Sequence, residues 1–388
     1  MTHPILPFQV LLIAGIDAVG LARFPCLLHN AGCRVTLFAP PGLAAIRSRY
    51  VATHIPCSSH PQQRAEEIKQ LLTAKSQDFD WVIVGDEPTL NTLYQFRGQN
   101  WLDGWFPVDH RSAAIDIIQS KLLFYQVANS AGILMPFSTI CTNWDEVVAA
   151  VAVAGYPVIL KTAVGLSGSG VLKVHDFQEL ESAYTDFAGN DQNILVQRFY
   201  DGPIVSTDVL FDHGLPVCWQ SSYSLKCWPN SLASSSARQL IQHPEIKDVL
   251  IKIGQIVGFH GFAGVDWVHD LADNHLYILE LNPRPTPTYH LDRFSGVSFS
   301  RSLNQLLSGQ RPVKPTEPVC EAGKLIRLFP QNLYWGISNR ECRSFILCWQ
   351  DAPWDDFFLL IAYLRRFLTH FLPKSWVQKV KSLIRKPA

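Results

Sequence analysis

The sequence predicts a mixed α/β and α+β protein: a parallel α/β domain, then a larger domain built from hairpins, then a helical tail. Three observations carry this. Strand-like apolar runs alternate with helix-like segments through residue 112. Beyond residue 156, polar and glycine-rich turns join strands directly to strands. Past residue 312, one short strand and apolar helix-period segments remain. The breaks set expected units at 1–112, at 113–312 with a smaller subdomain at about 130–203, and at 313–388.

In the first unit VLLIAG (10–15) reads as a buried strand ending at glycine, with a helix expected through about Ala31. CRVTLFAP and WVIVG are further strands, EEIKQLLTAK is the helix between them, and another helix starts at about Pro88. The first turn, GIDAVG (Gly15 to Gly20), lacks the middle glycine of a dinucleotide fingerprint and reads as a tight strand-to-helix turn. Asp86 and Glu87 stand at the carboxyl edge of this sheet, where open α/β folds bind ligands. A helix cap with first-turn acids explains them equally well.

In the second unit a helix from Ala113 to Leu134 carries Lys121, and a helix at 143–154 leads into YPVILKTAVGLSGSGVLKV (156–174), a strand, a glycine-rich loop and a strand. A helix near 177–187, the segment NILVQRFYDG, and strands near 204–211 and 215–220 follow. Then come the helix PEIKDVLIKIGQIVGF and the hairpin FAGVDWVHDLADNHLYILELN. Serine clusters (Ser221, Ser222, Ser224; Ser231, Ser234 to Ser236) read as mobile loop.

With 388 residues and 47% hydrophobic content, the chain has ample material for a core. Lys+Arg 33 against Asp+Glu 33 gives no reason to expect a nucleic acid partner. Nine scattered cysteines without a CxxC pair read as reduced cytosolic thiols, neither a disulfide framework nor a zinc site. The opening MTHPILPFQVLLIAG lacks the basic region of a signal peptide, so a cytoplasmic location is expected.

The hairpin concentrates the chemistry. A turn at Ala272-Asp273-Asn274, with Asn274 left-handed, sets Asp266 opposite Glu280. Alternation then puts Gly264, Asp266 and Val268 on one face with Ile278, Glu280 and Asn282. The opposite, core face receives Val265, Trp267, Tyr277, Leu279 and Leu281. Two adjacent carboxylates repel unless a cation lies between them, and hard oxygen donors suit Mg²⁺ or Mn²⁺. A solvated polar face or a general acid/base pair are the other readings of the pair, but Asn282 and the nearby Arg284 favour metal and phosphate.

The segment VILKTAVGLSGSGV supplies a complementary element. Lys161 closes a strand, and Gly165, Ser167, Gly168, Ser169 and Gly170 offer backbone and hydroxyl donors to an anion. The lysine precedes the glycines and a strand follows them, so this is not a Walker A loop; a flap over phosphates or an ordinary flexible hairpin fits.

Together and in this order, the pieces resemble the ATP-grasp superfamily over roughly residues 8–312. They comprise SKLLFYQVANSAGILMP, the lysine strand with its Gly/Ser loop, ILVQRFYDG, and GVDWV…YILELNPRP. The last is the most specific, since carboxylate–amine ligases of this superfamily end similar strands in Glu-x-Asn-Pro-Arg. The chain is similar in this to biotin-carboxylase and carbamoyl-phosphate-synthase-like members. The resemblance implies a pre-ATP-grasp α/β domain, an ATP-grasp fold with a small flap subdomain, and a C-terminal helical extension. It also implies that Asp266, Glu280 and Asn282 hold Mg²⁺ (or Mn²⁺) on ATP, that Lys121 and Lys161 contact phosphates, and that Gly165 to Gly170 form the flap. Gln197, Arg198, Phe199 and Tyr200 would be the hinge reading adenine, and Arg284 the group stabilising the transferred phosphoryl charge. Arg238 is a further candidate, for the acyl-phosphate or a substrate carboxylate; a surface helix-start arginine is its other reading.

Some positions depart from the pattern. Arg198 follows Gln197 where relatives carry a glutamate, and Ile204 or Val205 stands where an acid often meets the ribose, with Asp201 or Asp208 as substitutes. Thr162 replaces a common proline. The activity implied is ligation of a carboxylate to an amine, both small molecules, through an acyl-phosphate. A non-catalytic nucleotide binder and a carboxylase acting through carboxyphosphate are the rivals. His290 and Asp292, after the motif, either touch substrate or form a capped, solvated loop.

The tail stands apart by charge. Residues 357–388 hold seven basic residues and no acid, so residues 1–356 carry −7. In KSWVQKVKSLIRK, Trp376, Val377, Val380, Leu383 and Ile384 make one apolar stripe opposite the cations. With FFLLIAYLRRFLTHFL, this predicts peripheral contact with an anionic membrane; a helical pair docked on the protein or across a homodimer is the alternative.

Overall fold

The computed structural model describes residues 7–162, 170–188, 193–228, 234–310, 315–318 and 323–371. The amino-terminal unit contains β1 (Phe8–Ile13), α1 (Phe24–Asn30), β2 (Cys33–Ala39), β3 (Val51–Pro56), α2 (Pro61–Lys75), β4 (Trp81–Val84) and α3 (Glu87–Leu93). The strands are parallel in the order β3-β2-β1-β4. Leu11, Leu12 and Ile13 are fully buried, because both faces of a parallel sheet are covered, which is why VLLI is continuous rather than alternating. The helix expected directly after Gly15 starts only at Phe24, with Pro25 in its first turn, after an irregular loop and a 3-10 turn.

The single helix expected over 113–134 is two, α4 (Ala114–Gln119) and α5 (Lys121–Ser130). Ser120 breaks it by taking an extended conformation (φ −107°, ψ 114°), and its Oγ accepts from Leu123 N at 3.2 Å. Lys121 therefore opens a helix instead of lying inside one.

A small four-stranded unit follows: β5 (Ser138–Cys141), α6 (Trp144–Ala154), β6 (Val158–Thr162), β7 (Val171–Val174), α7 (Phe177–Ala188) and β8 (Ile194–Arg198). Its antiparallel order is β5-β8-β6-β7, closed over its own core of Val147, Val151, Leu160, Leu180 and Val196.

The large sheet contains β9 (Ile204–Asp212), β10 (Leu215–Cys227), β11 (Ser235–Ile241), β12 (Gly261–Asp270) and β13 (His275–Asn282), with α8 (Glu245–Val257) between β11 and β12. After α9 (Asp292–Ser295) and α10 (Phe299–Leu307), β14 (Leu325–Arg327) completes the order β13-β12-β9-β10-β11-β14. Ile246, Leu250, Ile253 and Val257 of α8 join Val209, Trp267 and Ile278 of the sheet and Leu11 and Val84 of the first unit in one core. The serine-rich stretch is not mobile loop where it is described. Ser221, Ser222 and Ser224 lie in β10 and Ser235 and Ser236 in β11, paired antiparallel, while Ser231 falls outside the described residues.

The chain then forms α11 (Gln331–Ser338), α12 (Cys342–Leu347) and α13 (Phe357–Phe371). Leu359, Leu360, Tyr363 and Phe367 of α13 enter the core that holds Val10, Leu12 and Phe24, each contributing on the order of 1.5–3 kcal/mol of transfer free energy. Tyr363 donates to Val19 O at 2.6 Å. One face of this segment is thus docked on the protein, the alternative to membrane contact that the sequence left open. The basic stripe from Trp376 to Ile384 lies outside the described residues.

Candidate active site

Strand pairing builds the centre of the site. Asp266 lies opposite Glu280 and Gly264 opposite Asn282, and Asn274 takes the left-handed conformation (φ 60°) in the turn. Between Asp266 and Trp267 the register shifts, so that Trp267 pairs with Ile278 and Leu279 is the extra residue of a bulge. The bulge inverts the expected alternation beyond it. Leu276 and Ile278 are buried, while Tyr277, Leu279 and Leu281 are only half-buried. Ile278 therefore belongs with Trp267 in the core and not with the acids, and Tyr277 stacks on Tyr200 with centroids 4.5 Å apart.

The acids are tied into a network. Asn282 Nδ2 donates to Asp266 Oδ2 at 3.0 Å, and an Arg284 Nη donates to Asn282 Oδ1 at 3.2 Å. Lys121 Nζ reaches Glu280 Oε2 at 2.8 Å, from the helix start that Ser120 creates. Burial and the neighbouring Glu280 push the Asp266 carboxyl up to about 6, against Ser206, Arg238 and Arg284, which lower it. Burial also raises Glu280, but Lys121, with Lys161 and Arg284, outweighs it and leaves this carboxyl below its usual range. Lys161, buried at the end of β6, is pushed down to about 8 by burial; Glu280 and Asp266 oppose that shift and Lys121 reinforces it. Two acids and two lysines from separate elements thus meet in one partly desolvated site.

Two flanking positions complete the network: Glu87, an acid expected at the sheet edge, and Ser206, which went unread in the sequence. Glu87, at the start of α3, pairs with an Arg284 Nη at 3.4 Å and joins the amino-terminal sheet edge to the hairpin exit. Asp86 instead caps α3, accepting from Thr89 N at 2.9 Å, and binds Gly15 N, so it belongs to the fold. Ser206, opposite Asp266 on β9, sits beside that carboxylate and lowers it. Period-two alternation in IVSTDVLF places Ser206 and Asp208 on one face, a signal available in the sequence.

Arg238 is neither on a surface nor at a helix start: it is buried in β11 and donates to Ser235 Oγ at 2.7 Å and Ser222 Oγ at 3.1 Å. Burial lowers its basicity, opposed by the charges of Asp208 and Asp266. Asp208 accepts from Thr286, Thr288 and Gln220, which leaves it no role at a ribose; Asp201 is exposed. Burial raises the Asp208 carboxyl above its usual range.

In the hinge, Gln197 Nε2 donates to Ser138 Oγ at 3.0 Å and Arg198 donates to the carbonyls of Ala154 and Val153. These two side chains are engaged inside the small unit, and the Arg198 backbone N–H donates to Phe137 O at 2.8 Å. Phe199 carries Lys173 Nζ 3.6 Å above its ring. Of the flap positions, Gly165, Ser167, Gly168 and Ser169 lie outside the described residues, and Gly170 has φ 80° at the start of β7. His290 is not solvated: it faces Asp351 at 3.3 Å, and Asp292 accepts from Phe299 N.

Residues 118–288 match the family model described as "ATP-grasp domain". This segment is similar to the ATP-grasp family. The carbamoyl phosphate synthase arginine-specific large chain of Geobacillus stearothermophilus is 27% identical over 203 residues, covering 50% of this chain and 19% of that protein. A D-alanine–D-alanine ligase of Pseudomonas entomophila is 26% identical over 214 residues, covering 50% and 64%. The chain thus spans less than two thirds of either relative. Among solved structures, the N5-carboxyaminoimidazole synthetase of Staphylococcus aureus with ADP superposes with a TM-score of 0.66 at 17% identity, covering 87% of both chains. The biotin carboxylase domain of the Hydrogenobacter thermophilus 2-oxoglutarate carboxylase gives 0.63 at 17%, covering 79% and 71%. These likenesses show that the chain shares the fold of those structures over most of its length.

Proposed function

We propose that this chain is an ATP-dependent ligase that joins a small carboxylate to an amine or similar nucleophile through an acyl-phosphate, releasing ADP and phosphate. The observation that carries this is the convergence of Asp266, Glu280, Asn282, Arg284, Lys121 and Lys161 on one side of the β12–β13 hairpin. The named activity of its D-alanine–D-alanine ligase relatives supports the same reading.

The donor set fits Mg²⁺ or Mn²⁺. Two carboxylates and an amide oxygen are hard ligands, and the Asp266 carboxyl, raised chiefly by burial and then by Glu280, carries a charge that a cation would stabilise. Asp266, Glu280 and Asn282 would hold it, and when bound it neutralises charge on the ATP phosphates. Lys121 and Lys161 supply positive charge to those phosphates, and Arg284 stabilises charge gathering on the phosphoryl group as the substrate carboxylate attacks it. Asn282 holds Arg284 at that position, and Glu87 steadies it from the opposite side. Such a transfer needs positioning and charge neutralisation and no covalent nucleophile from the protein. Arg238, buried beside Asp208 and Asp266, would orient a carboxylate or the acyl-phosphate.

The same reading puts the protein in the cytoplasm and includes a homodimer, as in the biotin carboxylase domain dimer among its structural neighbours; sedimentation equilibrium checks it. The test of function is ADP release over a matrix of carboxylates and amines. Release that needs both partners supports the ligase. Release driven by bicarbonate alone replaces it with carboxyphosphate chemistry, and ATP binding without any turnover replaces it with a non-catalytic binder.

A further inference from the structure

We infer that the solvent face of α13, together with the turn before it, is a docking surface for an anionic lipid bilayer. The inner face of α13 is buried in the core, yet its outer face is also apolar. Phe357 and Phe358 are 63% and 64% exposed and Leu368 is 56% exposed, with the partly exposed Ile361 between them. Trp354, in the preceding turn, is 64% exposed. On a helix, positions 357, 361, 365 and 368 fall along one stripe, with Phe358 at its margin. Hydrophobes scattered singly need no explanation, but three aromatic side chains within five residues, continued by a leucine along the same stripe, form a contiguous patch.

Charge decides what covers it. The one ionised side chain within the stripe is the exposed Arg365. At the aromatic end Arg49, also exposed, donates to Asp355 O at 3.3 Å, immediately before Phe357. The acids nearby are already engaged: Asp355 accepts from Cys26 and Tyr50, Asp356 from Ser48, and Asp17 pairs with Arg366. The face therefore presents aromatic rings with Arg49 and Arg365 at its rim, beside one exposed acid, Asp355, whose partners Cys26 and Tyr50 are neutral. The chain continues from it into residues 372–388, with five basic residues and no acid. Folding that segment over the stripe would set cations against Arg365 without a neutralising partner. A second copy of the face would likewise oppose arginine to arginine. An anionic headgroup layer complements both the arginines and the basic segment, and Trp and Phe rings settle at its boundary with the acyl chains. No helix among the described residues is long and apolar enough to cross a membrane, so the contact is a peripheral one.

The test is co-sedimentation of the full chain with vesicles of phosphatidylcholine alone and with vesicles holding an equal share of phosphatidylglycerol. Binding to the mixed vesicles only, weakened by salt and reduced roughly tenfold or more in Phe357→Ser/Phe358→Ser, is the expected result. Those side chains lie outside the ATP-grasp site, so thermal unfolding and ADP release of the variant stay at wild-type levels. Equal binding to both vesicle types, or to neither, overturns the inference. A wild-type dimer that the double variant converts to a monomer overturns it in favour of a second copy. Deletion of 372–388 that strengthens vesicle binding assigns the face to the chain's own end instead.

Discussion

Asp266 and Glu280 face each other directly across the β12–β13 ladder, and the Leu279 bulge beside them turns the rest of β13 to the core. The pair is held in mutual repulsion, and the Asp266 carboxyl, pushed up to about 6 by burial and by Glu280, records it. A raised carboxyl binds its proton more tightly in the folded chain than in the unfolded one, so ionising it costs stability as pH rises from about 4 to about 6. Asp266→Asn should therefore stabilise the nucleotide-free protein by on the order of 1–3 kcal/mol at neutral pH, with the gain vanishing below about pH 4. Urea unfolding at several pH values measures this. A variant less stable than wild type at pH 7 would show that the pair is not strained.

Lys161 yields a pH dependence of the opposite kind. Pushed down to about 8, chiefly by burial, it is charged at neutral pH and loses its proton well before an ordinary lysine. The KM for ATP should rise above pH 8 by up to tenfold per pH unit, and Lys161→Arg, which stays charged, should flatten that rise. Steady-state ADP release against pH, in wild type and variant, checks both.

Glu87 tests positioning without a large stability effect. Its pair with Arg284 is partly exposed, so Glu87→Ala should change unfolding free energy by less than about 1 kcal/mol. Turnover should nevertheless fall roughly tenfold as Arg284 loses one of its two anchors, with partial recovery in Glu87→Gln. Equal losses in both variants would assign Glu87 its charge rather than its hydrogen bond as the operative feature.

Gly20 links the amino-terminal turn to the segment after the hairpin. A Cβ there would lie 2.0 Å from Pro287 Cα, a backbone atom that cannot swing aside. Gly20→Ala should cost about 1–3 kcal/mol and displace the segment carrying Thr286 and Thr288 from Asp208, read by thermal unfolding and by ATP affinity together.

Asp351 is fully buried and receives Arg23, Arg293 and His290, joining the carboxyl-terminal extension to the amino-terminal unit. Asp351→Ala leaves the buried Arg23 guanidinium without its acid and should cost on the order of 3–5 kcal/mol, with no change in the ATP site's pH profile. Chemical denaturation measures it.

The hairpin was legible because strand register follows from a turn and a period of two, and that placed Asp266 against Glu280 correctly. Its core face was misread because a bulge depends on how three strands meet, which no local pattern encodes. Strand β11 was hidden by serines, since Ser222 and Ser235 serve as buried partners of Arg238 rather than as loop solvators. The break at Ser120 was masked by apolar residues on both sides, yet it brings Lys121 to Glu280. Gly15 and Gly20 looked like half a nucleotide motif, and their spacing instead serves close approach to Thr89 with Arg64 and to Pro287. For α13 the sequence did not separate the docked face from the exposed one, because the same apolar letters describe both.

The central claim is that Asp266, Glu280, Asn282 and Arg284 form the metal-dependent centre of an ATP-consuming ligase. The most direct test is Mg²⁺-dependent ADP release by Glu280→Ala, alongside its unfolding curve. The account expects a loss of at least a hundredfold in turnover with a folded, cooperatively unfolding protein. Wild-type turnover in that variant would contradict it.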